Sequence, residues 1–184
     1  DTAKDTVAYE ELQDIDKYIL HRSQEVLKEI IKDFDNFQYF KYYQPLQNFC
    51  NVELSNFYFD IAKDTLYTTA SKSKARRSVQ TVLAKLLSVL VRVLAPVNPH
   101  MAEDIWQHVP KALKEYSFKE ESVLLADYPV VDQSLLNPNL DQFWSQLIIT
   151  RDTVNKALEQ ARAARKIGSS LEAQVLIKVE DTSL

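Results

Sequence analysis

The chain has 184 residues, 46% of them apolar and 26% charged, with 22 Lys+Arg against 26 Asp+Glu for a net charge of −4. Average usage of about 7% would give roughly thirteen glycines, yet there is one, Gly168, which excludes glycine-rich phosphate loops, dinucleotide fingerprints and nucleophile elbows. The single cysteine, Cys50, excludes an internal disulfide or cysteine zinc site within the chain, and no apolar run or leader points to a membrane or to export.

The length suits one domain, or one domain and the start of another. With no methionine before Met101, the chain reads as a piece of something longer. A first helix is predicted from residue 9 to about 34, because Leu12, Ile15, Ile19, Val26, Ile30 and Phe34 recur at helical spacing. His21, Glu25, Lys28, Glu29 and Lys32 fall on its wet side. Residues 37–67 form an aromatic-rich second segment. Pro45 could start or kink its helix; the reading taken is a short first turn, a kink near Pro45 and a straight run from Leu46 to about Leu66.

A polar loop is expected over 68–74, then a third helix to Leu94 that is apolar nearly all round in its second half. Asn98-Pro99 reads as an N-cap and first helical residue, opening a short helix that stops before Pro110. Residues 111–138 look irregular, with an extended piece at Val123–Leu125. A last helix is expected from Asn139 to about Lys166, buried through Leu140, Phe143, Trp144, Leu147, Val154, Leu158 and Ala161, with Gly168 as its left-handed terminator. Leu171, Ala173, Val175, Ile177 and Val179 then alternate as in a strand whose partner lies elsewhere. The predicted fold class is all-α: an antiparallel bundle of four long helices, ending in a short β segment, with a division into 1–138 and 139–184.

Charge is unevenly placed. Lys63, Lys72, Lys74, Arg76, Arg77, Lys85 and Arg92 face a single acid, Asp64, so the 63–92 window is +6 and the remainder −10. A basic window with tyrosines nearby suits a nucleic-acid backbone and its exposed bases, although a solvated helix face has the same composition. His100 and His108 are too far apart on one helix for a zinc site, and no third ligand is evident, so no metal site is predicted. Cys50, Trp106 and Trp144 read as core residues and His21 as a surface one.

Four strings carry the argument further: YEELQDIDKYIL (9–20), NFCNVELSNFYFDIAKDTLY (48–67), ARRSVQTVLAKLLSVLVRVLAPVNPHMAEDIW (75–106) and RDTVNKALEQARAARKIGSSLEAQV (151–175). Together they resemble the anticodon-binding domain of isoleucyl-tRNA synthetases of the bacterial and organellar type. LAPVNPHMAEDIW is shared with the valyl and leucyl enzymes, whereas LSNFYFDIAKDTLY followed by RRSVQTVL is similar to the isoleucine branch.

The resemblance implies a class Ia-type helical bundle from a ligase that uses ATP and Mg, with zinc in a C-terminal module not present here. The setting it implies is a bacterial cytoplasm or an organellar matrix. Neither catalytic signature of that family is in this sequence; Ser71-Lys72-Ser73-Lys74 resembles one only superficially. The chain itself should therefore be non-catalytic and without a cofactor. Its implied partners are an isoleucine tRNA, through the anticodon stem-loop, and the remaining domains of its parent. The candidate tRNA contacts are Arg76 and Arg77, which open the third helix, with Lys63, Lys72, Lys74, Gln80, Asn48, Asn51, Asn56 and Tyr58. Two other readings stay open: a helical protein–protein module with a basic groove, and the equivalent domain of a valyl-tRNA synthetase.

Overall fold

A computed structural model describes residues 5–178. The chain divides into two compact units, Asp1–Asn137 and Pro138–Leu184. The described residues are helical or irregular, and no strand occurs among them.

In the first unit, α1 (Asp14–Asp35) buries Ile19, Leu20, Leu27 and Ile30 almost completely. It starts later than the apolar period suggests, after a separate 3₁₀ turn at Tyr9–Glu11. It ends where Phe37 takes φ 56°, letting the Gln38 N–H reach the Asp33 carbonyl and the Phe37 N–H the Phe34 carbonyl. That is the Schellman closure usually given to glycine.

The second helical run is α2 (Tyr43–Asn48), a π-helical stretch (Phe49–Tyr58) and α3 (Phe59–Thr68). Pro45 lies in the first turn of α2, where no intrahelical N–H is required, so it starts the helix rather than kinking it. The expected straight run is instead wound wider: the Phe59 N–H bonds the Leu54 carbonyl, five residues back.

Asp16 pairs with Tyr58 and Arg22 with Glu53, in reversed order along the two runs, so these pack antiparallel. The Arg22 clamp is bidentate, with Nε and Nη2 donating at 2.9 and 3.1 Å. From the loop after Thr68, α4 (Lys74–Leu94) returns alongside α1 and buries Val79, Val82, Leu86, Val91 and Val93.

A second apolar cluster joins the end of α4 to α5 (Pro99–His108) and α6 (Lys111–Ser117). Trp106 anchors it, 4.8 Å from Phe118 between ring centroids, its indole N–H donating to the Glu120 carbonyl at 2.9 Å.

Several expectations change in this region. The Asn98 side chain does not cap α5; its amide turns to the Met101 sulfur. Residues 111–138 contain α6 and two 3₁₀ turns, Val123–Leu125 and Gln133–Leu135. The first of these is bent, not extended, because the Glu103 carboxylate accepts from both the Ser122 hydroxyl and the Val123 N–H. His21 is buried at 2% exposure rather than wet. The irregular segment crosses that face of α1, and its backbone needs acceptors there: His21 Nδ1 takes the Asn137 N–H and Gln24 Oε1 the Asp132 N–H.

The second unit is built on α7 (Pro138–Ala163), none of whose residues is buried. The expected core positions Phe143 and Leu147 are exposed. Its terminator is Arg165, at φ 55°, with the Lys166 N–H on the Ala161 carbonyl; Gly168 has no positive φ and instead donates its N–H to Glu172. The strand expected over 171–179 is not formed among the described residues. Ser170–Glu172 is a 3₁₀ turn, and 173–178 runs on without a ladder partner. Val179 lies outside the described residues.

Candidate nucleic-acid interface

The start of α4 is built by its loop. Ser73 sits in extended backbone and caps the helix, its hydroxyl oxygen accepting the Arg76 N–H at 3.3 Å. The same hydroxyl donates to Thr69 Oγ1, which in turn donates to the Thr65 carbonyl at the end of α3. A run of hydroxyls thus fixes the α3–α4 corner without glycine. Because no acid occupies the first turn of α4, the partial positive charge of its N-terminus adds to that of the side chains.

The +6 window is not one surface. Arg76 donates Nη1 to the Thr69 carbonyl at 3.4 Å and has no carboxylate partner among the described residues. Arg77 donates to Gln80 Oε1 at 2.9 Å and lies 3.5 Å from the Asp5 carboxylate. Lys74 pairs with Glu11 at 3.1 Å. Lys72 is exposed on the loop and forms no ion pair among the described residues.

Lys63 is paired with Asp60 at 2.5 Å, and that neighbour holds its ammonium above the usual value. Arg92 is half-buried at the far end of α4, bonded to Ser88, and burial lowers its pKa. Four of the seven bases therefore gather at the helix start: Lys72, Lys74, Arg76 and Arg77. Gln80 lies one turn on, beside a cleft of about 410 Å³ walled by Leu83, Ala84, Leu87, Pro110 and Leu113.

The remaining candidates separate. Asn48, Asn51 and Asn56 are exposed along the second helical run, with Asn48 ten residues from Tyr58 across the whole π-helical stretch. Tyr58 is withdrawn as an RNA contact: it is 1% exposed and its hydroxyl donates to Asp16 at 2.6 Å. In LSNFYF the bulky members Leu54, Phe57 and Tyr58 are all packing residues.

The exposed aromatic turn with Phe37, Phe40 and Tyr43 lies at the other end of this run, so those rings do not flank the basic corner. One aromatic does. Tyr67, 86% exposed, closes α3 next to the loop. Sequence reasoning had no signal to single it out beyond its place at the end of IAKDTLY. It also missed Asp5, Glu11 and the buried Asp16, whose partners lie more than forty residues away.

The start of α4 is thus a capped, cationic helix end, with the exposed Tyr67 five residues before Lys72 along the chain. The chain belongs to the family described as the anticodon-binding domain of tRNA ligase, whose match covers residues 16–177. Among its relatives, the isoleucine--tRNA ligase of Gloeobacter violaceus is 47% identical over 181 residues, covering 98% of this chain and 18% of that protein. That of Nostoc punctiforme is 49% identical over 184 residues, 100% of this chain and 19% of that protein. That of Natranaerobius thermophilus is 42% identical over 178 residues, 97% and 19% respectively. The chain thus spans about a fifth of the length of the curated relatives it matches. No helix among the described residues is long and apolar enough to cross a membrane.

Proposed function

We propose that this domain holds the anticodon stem-loop of an isoleucine tRNA for a longer isoleucine--tRNA ligase that esterifies isoleucine to that tRNA. The observation that carries the reading is the cationic corner at the start of α4. There Arg76 and Lys72 lack carboxylate partners among the described residues, and Tyr67 is exposed near the end of α3, five residues before Lys72 in the chain.

In this reading Arg76, Lys72 and the free N–H groups of the first turn meet phosphates, while Tyr67 offers a face to an unstacked base. Arg77 and Gln80 form a donor–acceptor pair that reads a base edge, and Lys74 exchanges Glu11 for a phosphate. Asn48, Asn51, Asn56 and Lys63 are outer contacts along the same helical run. The bland alternative for each is a solvated side chain.

ATP and Mg would act, and zinc would be held, in other parts of the longer protein. Cys50 does not suit a zinc thiolate, because it is half-buried and burial pushes its thiol pKa up. The setting we propose is a bacterial cytoplasm, which the bacterial sources of the relatives support, or else an organellar matrix or stroma.

The test is a fluorescence-anisotropy titration of the chain with three anticodon stem-loops: the isoleucine anticodon, the same loop with its anticodon permuted, and a valine anticodon. Tightest binding to the first supports the reading. Equal binding to all three would reduce the domain to a general phosphate binder, and no binding to any would remove RNA as its partner.

A further inference from the structure

Three of the four diagnostic strings meet at one buried carboxylate. Asp16, the third residue of α1, is 0% exposed. Its Oδ1 accepts the Tyr58 hydroxyl at 2.6 Å and its Oδ2 accepts the Ser78 hydroxyl. Ser78 is itself held from the other side, its oxygen accepting the Gln13 N–H at 3.2 Å. DIDKYIL, SNFYFD and RRSV are thereby joined through two side-chain hydroxyls and one backbone N–H. No Lys, Arg or His pairs with Asp16 among the described residues.

We infer that Asp16 is a positioning residue for the cationic corner: by gripping Ser78 it sets the rotation and height of the first turns of α4, and so the aim of Arg76, Arg77 and Gln80. This rests on the RNA-binding reading. At about 100° per residue, an inward Ser78 sends Arg76 and Gln80 to the opposite side of the helix and Arg77 to its flank. A buried carboxylate held only by hydroxyls and a helix start is a poor source of stability compared with an apolar side chain of like size. What it does supply is direction, because both of its oxygens are committed to partners on different helices. The hydroxyl run through Ser73 and Thr69 ties α4 to α3, and the Val7 N–H on Thr81 Oγ1, Lys74–Glu11 and Arg77–Asp5 tie the same turns to the segment before α1; of these ties, Asp16–Ser78 is made between two side chains that are both fully buried. Burial raises the Asp16 carboxyl pKa, and the hydrogen bonds from Ser78, Tyr58 and the Gln13 backbone oppose that rise.

The experiment compares Ser78→Ala and Asp16→Asn with Glu53→Gln, which weakens the Arg22 clamp between α1 and the π-helical stretch without touching α4. Site-resolved amide exchange and affinity for the isoleucine anticodon stem-loop are measured on each. Ser78→Ala removes two hydrogen bonds, the one to Asp16 and the one from the Gln13 N–H, and each corresponds to a change of about fivefold. It should therefore speed exchange over 75–81 by at least about fivefold, leave 86–93 protected, and weaken RNA binding. Added to an Arg76→Ala/Arg77→Ala background it should weaken binding by less than it does alone, because only the aim of Gln80 is then left to lose. Asp16→Asn should act in the same direction and decides the matter if Ser78→Ala does not fold. Glu53→Gln should leave both readouts as in the wild type.

Uniform acceleration along α4, or equal effects from Glu53→Gln, would overturn the inference and leave the cluster a packing device. If the wild type binds no stem-loop, the RNA reading fails, while the exchange arm still decides whether Asp16 sets the start of α4.

Discussion

Helices α1 and α7 are similar as sequences and different as structures. Both are long, at 22 and 26 residues, and both end with a non-glycine residue in the left-handed region, Phe37 and Arg165. Yet α1 buries ten residues and α7 none. Four of those ten are polar (Asp16, His21, Ser23 and Gln24), and each has a partner: two hydroxyls, the Asn137 N–H, the Leu20 carbonyl and the Asp132 N–H. An apolar period marks which face of a helix seeks cover, but it says nothing about whether cover is present. Buried polar residues depend on counter-groups that no local period can reveal.

The comparison is broken most directly in the core. Ile19→Ala should destabilise the first unit by about 2–5 kcal/mol, whereas Leu147→Ala, on α7, should cost less than about 1 kcal/mol. Urea titrations can assign each loss to its unit, because Trp106 and Trp144 report separately when the other is replaced by Phe. A Leu147 effect as large as that of Ile19 would mean that α7 is packed far more tightly than its exposure indicates.

The next effect is a pH slope. Burial lifts Asp16 above the ordinary carboxylate value of 3.8 in the folded state, so between 3.8 and that raised value the folded chain binds more protons than the unfolded one. Stability from this group is therefore greatest below 3.8 and falls as pH rises through the folded value. Glu103, held low by Gln107 and Ser122, contributes in the opposite sense. Asp16→Asn should remove the downward component, read as a flatter difference curve of denaturation midpoint against pH. An unchanged curve would mean that the carboxylate is not desolvated.

Smallest of these is Arg165→Gly. Relief of the left-handed backbone, less the entropy glycine adds to the unfolded chain, should stabilise the end of α7 by about 0.5–1 kcal/mol, seen as slower amide exchange over 158–163.

The long helices were legible, because Leu, Ile and Val recur at three and four residues, and Asn98-Pro99 and Pro110 bound the short α5, whereas α6 was read as irregular chain and the Ser73 cap as part of a loop. The Phe49–Tyr58 π-helical stretch was not, since its wider winding leaves the same apolar residues in nearly the same order. Gly168 looked like the terminator of α7, but the chain reaches the left-handed region three residues earlier, at Arg165. The strand over 171–179 was inferred from alternation alone, and without a neighbouring ladder alternation does not make a strand. At the candidate interface, Arg76, Arg77, Lys72, Lys74 and Gln80 were legible as a cluster because they are adjacent on one helix and its loop. Tyr58 was misread, because the sequence shows a tyrosine but not the Asp16 hydroxyl acceptor 42 positions away.

The central claim, that the start of α4 holds RNA, is tested most directly by the salt dependence of stem-loop binding. Each phosphate contact on single-stranded RNA contributes about −0.7 to the slope of log affinity against log salt, so replacing Arg76 and Arg77 together by Ala should flatten that slope by about one to two units. Circular dichroism should be unchanged, since neither side chain belongs to the apolar core. Unchanged affinity with an unchanged slope would contradict the claim and leave the basic corner a solvated face.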